Sequence, residues 1–89
     1  MNKVLYQFRI KESETNDYIL GRISGMLDLY MYTGDKVKSV DVLHVDDRWI
    51  FNCKMDYETY LKVRNYITIC YPDRNFEWYK FNNDQRIEA

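Results

Sequence analysis

The chain has one proline, one histidine, three glycines and a single alanine, Ala89 at its end. So few prolines and glycines leave no low-complexity or linker-like stretch on which a domain boundary could fall. No run of 18 apolar residues occurs, which excludes a transmembrane helix. The opening residues, Met1 to Ile10, meet charge and alternation too early for a signal peptide, so a cytoplasmic protein is expected. Cysteine is scarce too. Cys53 and Cys70 lie 17 residues apart with no CxxC and no zinc-like partner set, and both are expected to be free, buried thiols. Neither sign of charge dominates, with 13 basic against 14 acidic residues. The broad basic footprint of a nucleic-acid binder is therefore missing.

The near-absence of alanine is odd for a chain with helices, because alanine is the best helix former. Phe, Tyr, Met, Ile, Asn and Lys, whose codons are AT-rich, supply 38 residues, whereas Gly, Ala, Arg and Pro supply 11. Coding bias accounts for this better than folding does. It points to a low-GC bacterium or one of its phages or mobile elements.

What is present is enough for one domain. Eighty-nine residues, 46% of them hydrophobic, can bury about 60–65% of the extended surface. Val4 to Lys11 alternates, with Val4, Tyr6, Phe8 and Ile10 on one face, which makes a strand buried on one side. Ser13, Thr15 or Asn16 can cap a following helix, and Asp17 suits its first turn. Ile19, Leu20, Ile23, Met26, Leu27, Tyr30 and Met31 fall at helical spacing. Thr33-Gly34-Asp35 supplies the stop, with Gly34 suited to a left-handed cap. Val37 to Val45 and Arg48 to Met55 read as two strands joined by a tight Asp46-Asp47 turn. Asp56 caps a second helix with Glu58 in its first turn; Tyr57, Tyr60, Leu61, Val63, Ile67 and Cys70 form its expected inner face. Pro72-Asp73 closes that helix. Phe76 to Phe81 is an aromatic last strand. Residues 82–89 are polar and expected to fray as a flexible tail after a single domain over 1–81.

Strand, helix, hairpin, helix, strand is the split βαβ, or ferredoxin-like, pattern: α+β, βαββαβ, with a four-stranded antiparallel sheet and both helices on one face. Right-handed crossovers give the spatial order 4-1-3-2.

RNA-recognition domains share this topology and stack bases on aromatics of the first and third strands. Here Tyr6, Phe8, Trp49 and Phe51 have the parity of the apolar face. Turning them outward would bury Arg9 and Lys54 unpaired, at several kcal/mol each. The aromatics are assigned to the core, leaving Gln7, Arg9, Asn52 and Lys54 beside Asp41 and Glu77 on the open face. A phosphate-cradling loop fails as well: Glu12-Ser13-Glu14-Thr15-Asn16 has two carboxylates and no glycine. His44 with Asp46 and Asp47 is a weak metal-site signal, better read as a strand histidine beside an acidic turn. A Cys53/His44 nucleophilic pair would place the thiol among core aromatics, where it is inert.

Gly21 and Gly25 share one side of the first helix. They are packed on by a strand or the second helix, or form a docking groove for a partner or second copy. Nine tyrosines cannot all be buried. Tyr18, Tyr32, Tyr57, Tyr66, Tyr71 and Tyr79 are candidates for exposure, and exposed tyrosine favours protein interfaces. In the 4-1-3-2 order the last strand, with Trp78, Tyr79 and Lys80, is a sheet edge open to another chain.

The expected function is a small non-enzymatic protein-binding module, phage- or mobile-element-encoded, that inhibits or modulates a host protein. Its contact residues are Trp78, Tyr79, Lys80, Tyr18, Tyr32, Gly21 and Gly25. A homodimer through the last strand or helix 1 is open to it. No metal, cofactor or membrane is called for. The alternatives are a nucleic-acid-binding regulator using Arg9, Lys54, Lys36 and Lys38, and a small Cys/His enzyme.

Overall fold

A computed structural model describes residues 3–34 and 36–89. Asp35, part of the expected helix stop, lies outside the described residues, as do Met1 and Asn2. β1 spans Val4–Lys11 and ends in a single 3-10 turn, Glu12–Glu14. α1 spans Asp17–Tyr32 and begins where the Asn16 side chain accepts a hydrogen bond from the Ile19 N–H at 3.0 Å. Gly34, at φ +92, takes the left-handed conformation that a side chain would oppose.

β2 (Val37–Val45) and β3 (Arg48–Met55) form a hairpin on the Asp46-Asp47 turn. Both aspartates have positive φ, 48 and 36, the backbone of a type I′ turn. α2 (Tyr57–Cys70) is capped by Asp56, whose Oδ1 accepts from the Thr59 N–H at 2.8 Å. β4 (Phe76–Asn82) turns through Asn83, at φ 59, into β5 (Gln85–Glu88).

The strands form one antiparallel sheet in the order β2-β3-β1-β4-β5. Among the described residues the sheet therefore has five strands, not four. Residues 82–89, set apart by sequence as a polar tail, carry the turn and the fifth strand. Two bonds hold its end: Ala89 N–H donates to Trp78 O at 3.0 Å, and Arg64 Nη1 donates to Ala89 O at 3.1 Å.

Strand parity decides which face is dry. Tyr6, Phe8, Phe51, Cys53, Met55 and Trp78 pack with Ile19, Ile23 and Leu27 of α1 and Tyr60, Val63 and Ile67 of α2. Phe8 sits at the centre, fully buried, with its ring 4.7 Å from Phe51 and 4.9 Å from Trp78. Three positions depart from the expected inner face of α2. Tyr57 and Leu61 are 61% and 45% exposed, because they lie on the flank that overhangs β4 and β5 instead of the sheet's middle. Cys70 is exposed rather than buried; it ends the helix three residues past Ile67, the last α2 side chain in the core.

Candidate functional site: the β2 edge and the open sheet face

The face away from the helices is built by the opposite parity of each strand. At its centre Gln7 is 6% exposed and fully engaged: its Nε2 donates to Asn52 Oδ1 at 2.8 Å, and its Oε1 accepts from Arg9 Nε at 2.6 Å. The Arg9 guanidinium lies over the Tyr79 ring at 5.2 Å, and Arg86 lies over the same ring at 4.4 Å. The Tyr79 hydroxyl donates to Glu77 Oε2 at 3.0 Å, and Arg48 Nε donates to Glu77 Oε1 at 3.1 Å. One chain of contacts thus runs from β3 through β1 and β4 to β5. Its ionisation follows. Desolvation and the neighbouring Arg86 lower the Arg9 pKa. Desolvation pushes Glu77 upward, but hydrogen bonds from Arg48 and Tyr79 outweigh it and hold the carboxyl below its ordinary value.

β4 is not a sheet edge. Tyr79 to Asn82 pair with Glu88 to Gln85, so Tyr79 and Lys80 lie within the sheet and do not form an open rim. Trp78 is 8% exposed and belongs to the core.

The long open edge is β2. A two-residue turn makes Val45–Arg48 a hydrogen-bonded pair, and such pairs alternate along an antiparallel hairpin. Leu43, Asp41 and Ser39 therefore bond β3 through the partners Ile50, Asn52 and Lys54. The N–H and C=O groups of Val40, Val42 and His44 consequently point away from the sheet. Val42 is 40% exposed although its parity faces the helix layer, and Leu43 and Val45 are each 47% exposed on the open face. His44 stacks on Trp49 at 4.4 Å, and its Nε2 is 3.6 Å from Glu12 Oε1. Among the described residues the β2–β3 ladder has one irregularity, a register shift between Val37 and Ser39 that makes Lys38 the extra residue. The valine-rich composition was visible in sequence. The exposure of Val42, Leu43 and Val45 along β2 was not, because alternation marks a strand without saying how far the helix layer covers it.

The remaining candidates are scattered. Tyr18 and Tyr32 are exposed at 69% and 83% on α1. Tyr18 and Tyr66 hydroxyls accept from Arg22 at 3.4 and 3.3 Å, joining α1 to α2. Gly21 and Gly25 are exposed, and a Cβ at either would meet nothing within 4 Å; neither a strand nor α2 packs there. Lys54 shares the open face with Arg9, whereas Lys36 and Lys38 are exposed just before and within the start of β2 and do not converge with them. A groove of 420 Å³ between α2 and β5, lined by Tyr57, Leu61, Arg64 and Ile87 among others, is a further surface that sequence did not suggest.

The Cys/His pair does not assemble. Cys53 stands opposite Val40 and His44 opposite Trp49, and burial pushes the Cys53 thiol up to about 12. Among the described residues no cluster of His, Cys, Asp and Glu suits a metal ion, and no helix is long and apolar enough to cross a membrane. No protein-family model matches the chain, and no curated protein or solved structure matches it at a significant level.

Proposed function

We propose that the chain is a small non-enzymatic protein-binding module: a ferredoxin-like core extended by β5, acting in the cytoplasm of a low-GC bacterium as a phage- or mobile-element-encoded modulator of a host protein. One observation carries the reading. β2 offers outward backbone groups at Val40, Val42 and His44 beside exposed Val42, Leu43 and Val45. An edge like this gains affinity from main-chain hydrogen bonds and specificity from alternate side chains when a partner strand is added. The inert Cys53 and its separation from His44 support binding over covalent catalysis. The test uses Val42→Pro, which removes an outward N–H and leaves the β2–β3 ladder intact. The tagged wild-type chain should capture a stoichiometric partner from a low-GC bacterial lysate. Val42→Pro, with an unchanged circular dichroism spectrum, should lose it. Equal capture by both would remove β2 as the surface.

A second reading rests on the open face. There Arg9, Lys11, Arg48, Lys54 and Arg86 outnumber Asp41, Glu77 and Glu88, although the whole chain carries −1. The Arg9 and Arg86 guanidiniums over Tyr79 add planar groups on which a base can stack. Binding to a single-stranded oligonucleotide should then weaken steeply with salt, and Arg86→Ala should lower the slope by about 0.7. No binding at low salt ends this reading.

A further inference from the structure

We propose that the β2 edge takes a second copy of this chain, pairing antiparallel about a two-fold axis at Val42 so that two sheets become one. The proposal rests on the reading of β2 as the interaction surface and names its occupant.

The hydrogen-bond phase selects the register. The outward groups of β2 lie at Val40, Val42 and His44, evenly placed about Val42. An isologous contact must match this row to itself reversed. Centred on Val42, each copy's Val42 bonds the other's Val42, Val40 bonds His44, and no outward group is left over. Centred on Asp41, two aspartates would stand directly opposite at the closest cross-strand spacing, a repulsive arrangement. Centred on Leu43, Val40 would fall opposite Asp46, which is in the turn and out of the strand.

Charge agrees with the phase. The Val42 register brings Lys38, at the bulge, toward the Asp46 carboxylate in the other copy's turn, twice by symmetry and with no backbone pairing required there, and places Asp41 opposite Leu43 instead of another acid. On the open face Ser39 meets Val45, and the two Leu43 side chains stand diagonally across from each other. Exposed aliphatic surface on both faces of β2 is covered in one step.

The geometry also explains why this edge and not the other. β5 is four residues long and fully exposed, with Arg86 and Glu88 along it, a blunted edge. β2 is nine residues long with no proline. Because the axis stands perpendicular to the sheet, both helix layers lie on one side and both Arg9–Tyr79–Arg86 clusters on the other.

Sedimentation equilibrium is the first measurement. An interface built on one strand sits at the small, transient end of the range, so self-association is expected on the order of 100 µM. The apparent mass should rise from 11.0 kDa toward twice that value. Val42→Pro and Val42→Lys, each with wild-type circular dichroism, should both stay monomeric. Disulfide trapping fixes the register. In a Cys70→Ser background, Val42→Cys faces itself at about 5.5 Å between Cα atoms, within disulfide reach, and should cross-link at least tenfold faster than Leu43→Cys. Persistent monomer, a dimer that survives both Val42 variants, or faster trapping at Leu43 would each overturn the proposal. Loss of a captured heterologous partner on Val42→Pro, in a chain that stays monomeric, would overturn the second copy alone. A monomer with no partner would overturn the edge reading as well.

Discussion

Replacing Phe8 by alanine tests which face of the sheet is the core. Phe8 is fully buried on the central strand, stacked on Phe51 at 4.7 Å and against Trp78 at 4.9 Å. Truncating a buried phenylalanine to alanine costs about 3–5 kcal/mol, from lost transfer energy and the cavity left behind. A chain of this length has a total stability of roughly 4–13 kcal/mol, so the variant should lose between a quarter and all of it. With a urea dependence of about 1–2 kcal/mol per molar, the midpoint falls by about 1.5–5 M. Trp78 reports directly, since its ring touches the mutated side chain. Leu5→Ala is the control. It lies on the same strand with the opposite parity, is half-buried, and should cost less than about 1.5 kcal/mol. If Leu5→Ala proves the costlier change, the assignment of faces is wrong, and with it the placing of Arg9, Glu77 and Tyr79 on the open side.

Gly21→Ala and Gly25→Ala should each raise stability by about 0.5–1 kcal/mol, seen as a higher Tm, because a Cβ meets open space at both; a loss would mean that something packs there. Thiol titration of the native chain at pH 8 should find Cys70 reactive and Cys53 silent, since burial pushes Cys53 to about 12; equal reactivity would show an open core. Backbone and side-chain hydrogen bonds from Thr59 hold the Asp56 carboxyl below its ordinary value, and Arg48 and Tyr79 overcome desolvation to do so for Glu77. Both folded pKa values are depressed, so their stabilisation is present above about pH 4 and lost as pH falls through the folded values. Acid unfolding followed by circular dichroism should be less steep in Glu77→Gln; an unchanged profile would refute that share.

Sequence legibility followed burial. Where one face is dry and the other wet, as in β1, β3 and α1, periodicity marked both the element and its inner side. The stripe from Ile19 to Leu27 and the parity of Tyr6, Phe8 and Phe51 were legible for that reason. The turn at Asp46-Asp47 and the cap at Asp56 were legible because few residues suit those positions. β5 was not. All four of its residues are exposed, so no apolar period betrays it, and missing it made β4 look like the rim. The candidate site depends on it: Trp78, Tyr79 and Lys80 belong to an edge only where β4 has no outer neighbour, and Gln85–Glu88 occupies that place. The open face was legible by elimination, but the contacts joining Arg9, Tyr79 and Arg86 depend on β5 and could not be read without it.

The central position of β1 has a consequence for how the protein is made. β1 precedes the other strands of its sheet in the chain, yet its neighbours are β3 and β4, and its partners in β4 run from Phe76 to Lys80. The β2–β3 hairpin and the helices can form from local sequence while the chain grows. The middle of the sheet closes only once Phe76 to Lys80 have emerged, and such long-range pairing is intrinsically slow. Until then a nascent chain exposes Phe8 and its aromatic neighbours, so chaperone contact during translation is expected to centre on β1.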